Sequence, residues 1–147
     1  MSVLVDVGNS RMKWGLVRDH TLEQVVSLPL PDSPTAVPDS WMAQVLLWQI
    51  PRRTMWILSG TNPPAMFILQ DWVQKQGYRI WCVCNYRDIP LRVDVDVPER
   101  VGIDRLLNAL AAIHRGPPGH PKLIVDAGSA VTVDWVNAEN TFCGGAI

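Results

Sequence analysis

Leu4-Val5-Asp6-Val7-Gly8-Asn9-Ser10 returns 120 residues later as Ile124-Val125-Asp126-Ala127-Gly128-Ser129-Ala130. Each copy runs an apolar stretch into an aspartate, then a glycine, then a small hydroxyl or amide residue. A second β-rich run follows each, at 12–17 and 131–136. This pattern predicts two β-hairpins whose tight turns leave backbone N–H groups free for an anion. Two such turns in one chain imply two related lobes facing each other across a phosphate.

Working outward, strands are predicted at 2–7, 12–17 and 21–28, with Arg18-Asp19-His20 as a turn. Residues 29–38 hold four prolines and read as a loop. Ser40 is placed to cap a helix running to Ile50, stopped by Pro51. A buried strand follows at 54–58. Asn62 caps a further helix with proline in its first turn, and Gly77 ends it. Another strand covers 78–83. Ile103, Leu106, Leu107, Leu110 and Ile113 trace a helical stripe that Gly116 terminates. The Pro- and Gly-rich run 116–121 is a linker. A strand restarts at 122, and Asn137-Ala138-Glu139-Asn140 reads as a hairpin turn. The order is βββαβαβα, linker, ββ. A meander followed by β–α alternation predicts an α/β, ribonuclease-H-like (actin-like ATPase) lobe over 1–116. Residues 117–147 then begin a second, similar lobe, and the chain is expected to be truncated there.

The composition is that of a folded chain: 48% hydrophobic and 18% charged over 147 residues, with net charge −1. Near-neutral charge argues against a nucleic-acid partner. No apolar run is long enough to cross a bilayer, and Asp6 interrupts any secretory signal, so no membrane partner is expected. Three cysteines, Cys82, Cys84 and Cys143, form an odd set. Cys82 and Cys84 would share one strand face, where a bond between them is strained. Reduced thiols in a cytoplasm are the simplest reading. Seven tryptophans are many for this length. Trp41, Val45 and Trp48 share one helical stripe, as do Ile68, Leu69, Trp72 and Val73, which makes them core or interface anchors. The histidines (His20, His114, His120) fall in turns or flank the linker and read as solvated.

Three segments offer chemistry. In the first, Gly8 permits the turn, Asn9 and Ser10 offer amides, Lys13 can meet phosphate as a point charge, and Asp6 at a strand end can hold hydrated Mg²⁺. In the second, Asp126 can hold a cation, and small residues let backbone approach a phosphate; Asp134 is expected on an exposed face in a structural role. In the third, Gly102-Ile103-Asp104-Arg105, a cation sits in the first turn of a helix against the dipole. Asp104 reads equally as a helix cap or dipole partner and as a general base for a hydroxyl; Arg105 reads as a clamp for a carboxylate.

Together these segments resemble type III pantothenate kinase, of the acetate and sugar kinase/Hsp70/actin superfamily. The resemblance rests on Asp6-Val7-Gly8-Asn9-Ser10-Arg11-Met12-Lys13-Trp14, on Pro98-Glu99-Arg100-Val101-Gly102-Ile103-Asp104-Arg105 with Asn108-Ala109-Leu110-Ala111-Ala112, and on Asp126-Ala127-Gly128-Ser129-Ala130-Val131-Thr132-Val133-Asp134. Cys143-Gly144-Gly145-Ala146-Ile147 looks like the family's next glycine pair. Such a resemblance implies ATP-dependent phosphorylation of pantothenate to 4′-phosphopantothenate, the first step of coenzyme A biosynthesis. It implies that Asp6, Val7, Gly8, Asn9, Ser10, Arg11, Met12 and Lys13 surround the ATP phosphates and Mg²⁺, and that Ser129 touches ATP. Gly102, Ile103, Asp104 and Arg105 would line the pantothenate pocket with Asp104 as the base, and Asp126 would coordinate K⁺ or NH₄⁺. It further implies a cytoplasmic homodimer. One departure is Val95, where many members carry tyrosine seven residues before the glycine of Gly-x-Asp-Arg. The piece of 147 residues is expected to be inactive without the rest of the second lobe.

Two other functions fit the same scaffold. One is a non-catalytic nucleotide-binding or regulatory accessory protein, which would need no base at Asp104. The other is a ribonuclease-H-like nuclease using Asp6, Asp104, Asp126 and Asp134 as a two-metal cluster; the near-neutral charge argues against it.

Overall fold

Alternation with a period of two builds the first sheet. The computed structural model describes residues 1–33, 36–128 and 130–147. Strand β1 (Ser2–Val7) buries Val3, Val5 and Val7 and turns Leu4 and Asp6 to the other face. Strand β2 (Met12–Arg18) likewise buries Met12, Trp14 and Leu16. With β3 (Thr21–Leu28), β4 (Met55–Gly60) and β5 (Arg79–Cys82) they form a five-stranded sheet ordered β3-β2-β1-β4-β5. The β1/β2 and β2/β3 pairs are antiparallel; β1/β4 and β4/β5 are parallel. This is the meander-then-crossover order expected from the sequence.

Helices α1 (Asp39–Leu47) and α2 (Pro63–Lys75) bring their apolar stripes into the same core cluster as the buried strand residues. Trp41, Val45 and Trp48 come from the first helix and its end; Leu69, Trp72 and Val73 come from the second. Five of the seven tryptophans, Trp14, Trp41, Trp48, Trp56 and Trp72, therefore converge, while Trp81 and Trp135 are exposed. The Trp14 ring lies 4.8 Å from Trp56 at 85°, and 6.1 Å from both Trp41 and Trp72. Edge-to-face packing of this kind adds about 0.5–1.5 kcal/mol per pair to the area buried.

Capping explains one helix as expected and corrects the other. The Asn62 carboxamide oxygen accepts from Ala65 N–H at 3.2 Å and starts α2, and Gly77 adopts φ +80 just after it. Ser40, by contrast, does not cap α1. Pro38 holds the N-cap position without a side-chain bond, and Ser40 Oγ is buried with no partner among the described residues. The helix also stops at Leu47 rather than Ile50. Gln49 turns left-handed at φ +51, ahead of Ile50, which Pro51 biases away from helix.

The second compact unit, Val83–Ile147, follows a first unit of Met1–Cys82. It contains β6 (Arg92–Val93), α3 (Ile103–Arg115), β7 (Lys122–Ala127), β8 (Val131–Val136) and β9 (Thr141–Ala146). The sheet order is β6-β9-β8-β7, with β7–β9 an antiparallel meander and β6 parallel to β9. Helix α3 packs on β7 and β8 and buries Leu106 and Ala109. The compact-unit boundary at 82/83 therefore differs from the expected lobe boundary at 116/117, because the stripe of α3 meets the later strands. Cys82 ends β5 and Cys84 lies beyond it, so the two do not share a strand; none of the three cysteines is in a disulfide among the described residues. No helix among the described residues is long and apolar enough to cross a membrane.

Candidate functional site

The two aspartate–glycine segments form hairpins of closely related register. Asp6 pairs with Lys13 and Val7 with Met12; Asp126 pairs with Thr132 and Ala127 with Val131. Each aspartate is the penultimate residue of its strand. The second loop is one residue shorter, which sets Thr132 where the first hairpin has Lys13.

In the first hairpin, Gly8 N–H donates to Arg11 O across 3.1 Å. The turn closes with no residue of positive φ between Gly8 and Arg11, so the glycine is not needed here for a left-handed conformation. The N–H groups of Asn9, Ser10 and Arg11 donate to no protein group among the described residues, and all three residues are exposed. Asp6 and Lys13 are exposed cross-strand neighbours on the face away from the core. Val7 and Met12 have side chains in the core, so only their backbone can meet a ligand. Asn62, which sequence reading used only as a cap, also donates its amide to Gly8 O at 3.4 Å. It thereby ties the N-terminus of α2 to this turn. A cleft of about 350 Å³ beside it is lined by Ser10, Arg11, Pro29, Leu30 and Asp32.

In the second unit, α3 carries two polar residues, Arg105 and Asn108, toward the strands. Asn108 Nδ2 donates to Asp126 Oδ2 at 2.8 Å. Arg105 Nε lies 3.0 Å from Asp134 Oδ1 and 3.2 Å from Oδ2, and its Nη2 also donates to Oδ1. Asp134 is 2% exposed, so the expectation of an exposed face is corrected. It points to the α3 side of β8, where a charge without a partner would be very costly. The hydrogen bonds from Arg105 to Asp134 raise the guanidinium pKa above its ordinary value, with burial opposing. The Arg105 guanidinium carbon also lies 6.0 Å from the Phe142 ring centre.

Asp104 does not cap α3. Gly102 holds the N-cap position without a side-chain bond, and the Asp104 carboxylate lies over Gly102, where a Cβ would stand. A Cβ at Gly102 would therefore turn that carboxylate to another rotamer. Gly145, paired with Asp134 across β8/β9, is required by the close approach of the backbone: a Cβ there would strike the Val133 carbonyl oxygen and stand 2.8 Å from Asp134 Cα, with Asp134 Oδ1 also at 2.6 Å. Gly144 adopts φ +89, and the Val95 side chain packs 3.3 Å from the position of its missing Cβ. Ser129, expected at ATP, lies outside the described residues. A cleft of about 430 Å³ lined by Arg92, Val93, Asp94, Asn137, Glu139 and Thr141 contains none of the expected site residues.

This geometry removes the carboxylate-cluster reading as drawn, since Asp134 is already neutralised by Arg105. Among the described residues no group of three or more His, Cys, Asp or Glu side chains could hold a metal ion. What remains is a hairpin with unengaged amides beside a lysine, and a helix start presenting Asp104 and an anchored arginine.

The chain is 29% identical over 154 residues to a type III pantothenate kinase of Thermomicrobium roseum, covering 100% of this chain and 58% of the relative. It is 48% identical over 88 residues to one of Rhodopirellula baltica, covering 60% of this chain and 31% of the relative. The chain spans less than two thirds of the length of these relatives. A solved structure described as a 2-dehydro-3-deoxygalactonokinase protein from Sinorhizobium meliloti matches with TM-score 0.55 at 14% identity, covering 99% of this chain and 53% of that one. It shows the sugar-kinase, actin-like ATPase fold. The family model for type III pantothenate kinase matches residues 2–147, and the chain belongs to that family.

Proposed function

We propose that the natural full-length polypeptide carrying this chain transfers the γ-phosphoryl group of ATP to pantothenate. The product is 4′-phosphopantothenate, and the step opens coenzyme A biosynthesis. The observation that carries this reading is the start of α3, where Asp104 and the anchored Arg105 stand side by side in a chain matched along 2–147 by the pantothenate kinase family.

Phosphoryl transfer needs positioning and charge neutralisation more than covalent chemistry. The amides of Asn9, Ser10 and Arg11, with Lys13, hold the phosphate oxygens. Asp104 orients the pantothenate hydroxyl and takes its proton as the new bond forms. Arg105 meets the carboxylate of pantothenate.

The donor chemistry fits the cations such a reaction uses. Asp6 is an exposed carboxylate at the end of a buried strand and suits hydrated Mg²⁺. Asp126 is exposed, with Oδ2 held by Asn108, and suits K⁺ or NH₄⁺. When bound, these cations offset the negative charge of the phosphates. We place the protein in the cytoplasm as a homodimer, a reading supported by family membership.

The test is ATP consumption by the full-length polypeptide with and without pantothenate, with 4′-phosphopantothenate identified by mass. Asp104→Asn is expected to lower kcat by roughly two to four orders of magnitude. Turnover indifferent to pantothenate, or undiminished in the variant, overturns the assignment.

A further inference from the structure

We infer that Asp134 is a positioning residue. It locks the guanidinium of Arg105 before substrate arrives, so that the Nη1 amino group is presented to the carboxylate of the acceptor substrate. This rests on the function proposed above, in which Arg105 meets that carboxylate.

Three observations support it. The contact is side-on: Nε and Nη2 are committed to Asp134, and Nη1 takes no part in it. A guanidinium has five N–H donors in a rigid plane, so fixing one edge fixes the direction of the rest. The pocket around the acid is also built for it. Asp134 is 2% exposed, and the Arg105 guanidinium carbon lies 6.0 Å from the ring centre of the fully buried Phe142. Finally, holding α3 to the sheet needs no ion pair. Leu106 and Ala109 are already fully buried there, and buried pairs are often matched or exceeded in stability by apolar residues. An arginine ordered during folding loses no further side-chain entropy when it binds, which is the advantage of preorganisation.

The test uses the full-length polypeptide and compares KM for pantothenate with KM for ATP. Asp134→Asn leaves a polar side chain of the same size but a weaker grip. Pantothenate KM is expected to rise at least tenfold, with ATP KM within twofold of the starting value. A merely structural role would move both constants together or neither, and either result overturns the proposal. Arg105→Lys is run beside it. If Arg105→Lys leaves pantothenate KM unchanged, Arg105 does not meet the carboxylate and the underlying reading fails. If Arg105→Lys raises it while Asp134→Asn does not, only the positioning role fails. A measurement free of any variant is the ¹⁵N-edited spectrum of the unliganded protein. A sharp, slowly exchanging Arg105 Nε–H signal without substrate is expected; one that sharpens only when pantothenate is added overturns the proposal, even if Asp134→Asn does not fold.

Discussion

Asn108 on α3 donates its amide to Asp126 Oδ2 on β7 across 2.8 Å, one helical turn beyond Asp104. Residues four apart share one helix face, so the same helix start that carries the proposed base also grips the proposed cation ligand. Asn108→Ala should free the Asp126 carboxylate to turn. Loss of such a supporting bond typically costs 10–100-fold in metal affinity. The activation constant for K⁺ should therefore rise by about tenfold or more, with saturating K⁺ restoring most of kcat. A K⁺ titration of the full-length polypeptide checks it, and an unchanged constant would separate Asn108 from the cation.

The Asp104 carboxylate occupies the space that a Cβ at Gly102 would take. Gly102→Ala should force that carboxylate to another rotamer. Backbone strain plays no part, since Gly102 sits at φ −58, open to any residue. The expected outcome is a fall in kcat of about tenfold, less than the two to four orders lost when a general base is removed, because the carboxylate is displaced and not deleted, with little change in thermal midpoint. Parallel kinetics and calorimetry would show it; a large loss of stability with kcat intact would contradict the account.

Ser40 offers a sign test. A capping serine replaced by alanine costs about 1 kcal/mol. A buried hydroxyl without a partner instead carries a desolvation penalty of about 1–3 kcal/mol. Since Ser40 Oγ is of the second kind among the described residues, Ser40→Ala should be neutral or stabilising. Urea unfolding of the two proteins decides between these outcomes.

Burial raises the Tyr78 hydroxyl pKa above its ordinary value of 10.0, with Arg52 opposing. A group that holds its proton more tightly when folded stabilises the protein below its unfolded pKa. That stability is lost as pH climbs through the folded value. Unfolding midpoints should thus fall as pH rises above the ordinary tyrosine value of 10.0, and Tyr78→Phe should make the fall shallower. Tyr78 also packs 5.6 Å from Trp56 and bonds Ile50 O at 3.4 Å, so the variant keeps the ring while losing the titration.

Much of the fold was legible locally. Val3, Val5 and Val7 alternate, Ile103 to Ile113 repeat with helical period, and Asn62 and Gly77 mark the ends of α2. Each of these signals lies within a few residues of the element it specifies. The paired hairpins were legible for the same reason, as was the motif at the start of α3. The failures have a common form. Ser40 looks like a cap when only its neighbours are considered, yet the loop before it enters the helix through Pro38 and buries the hydroxyl.

The sequence by itself determined the elements, the two aspartate–glycine turns and the family to which they point. Only the tertiary structure decided what the charged groups do there. Asp134 sits 29 residues from Arg105 and Asp126 lies 18 residues from Asn108, and neither separation carries a local pattern. A strand residue faces helix or solvent according to which side of its sheet α3 covers. That choice comes from packing Leu106 and Ala109 against β7 and β8, and it turned an apparently exposed acid into the buried anchor of an arginine.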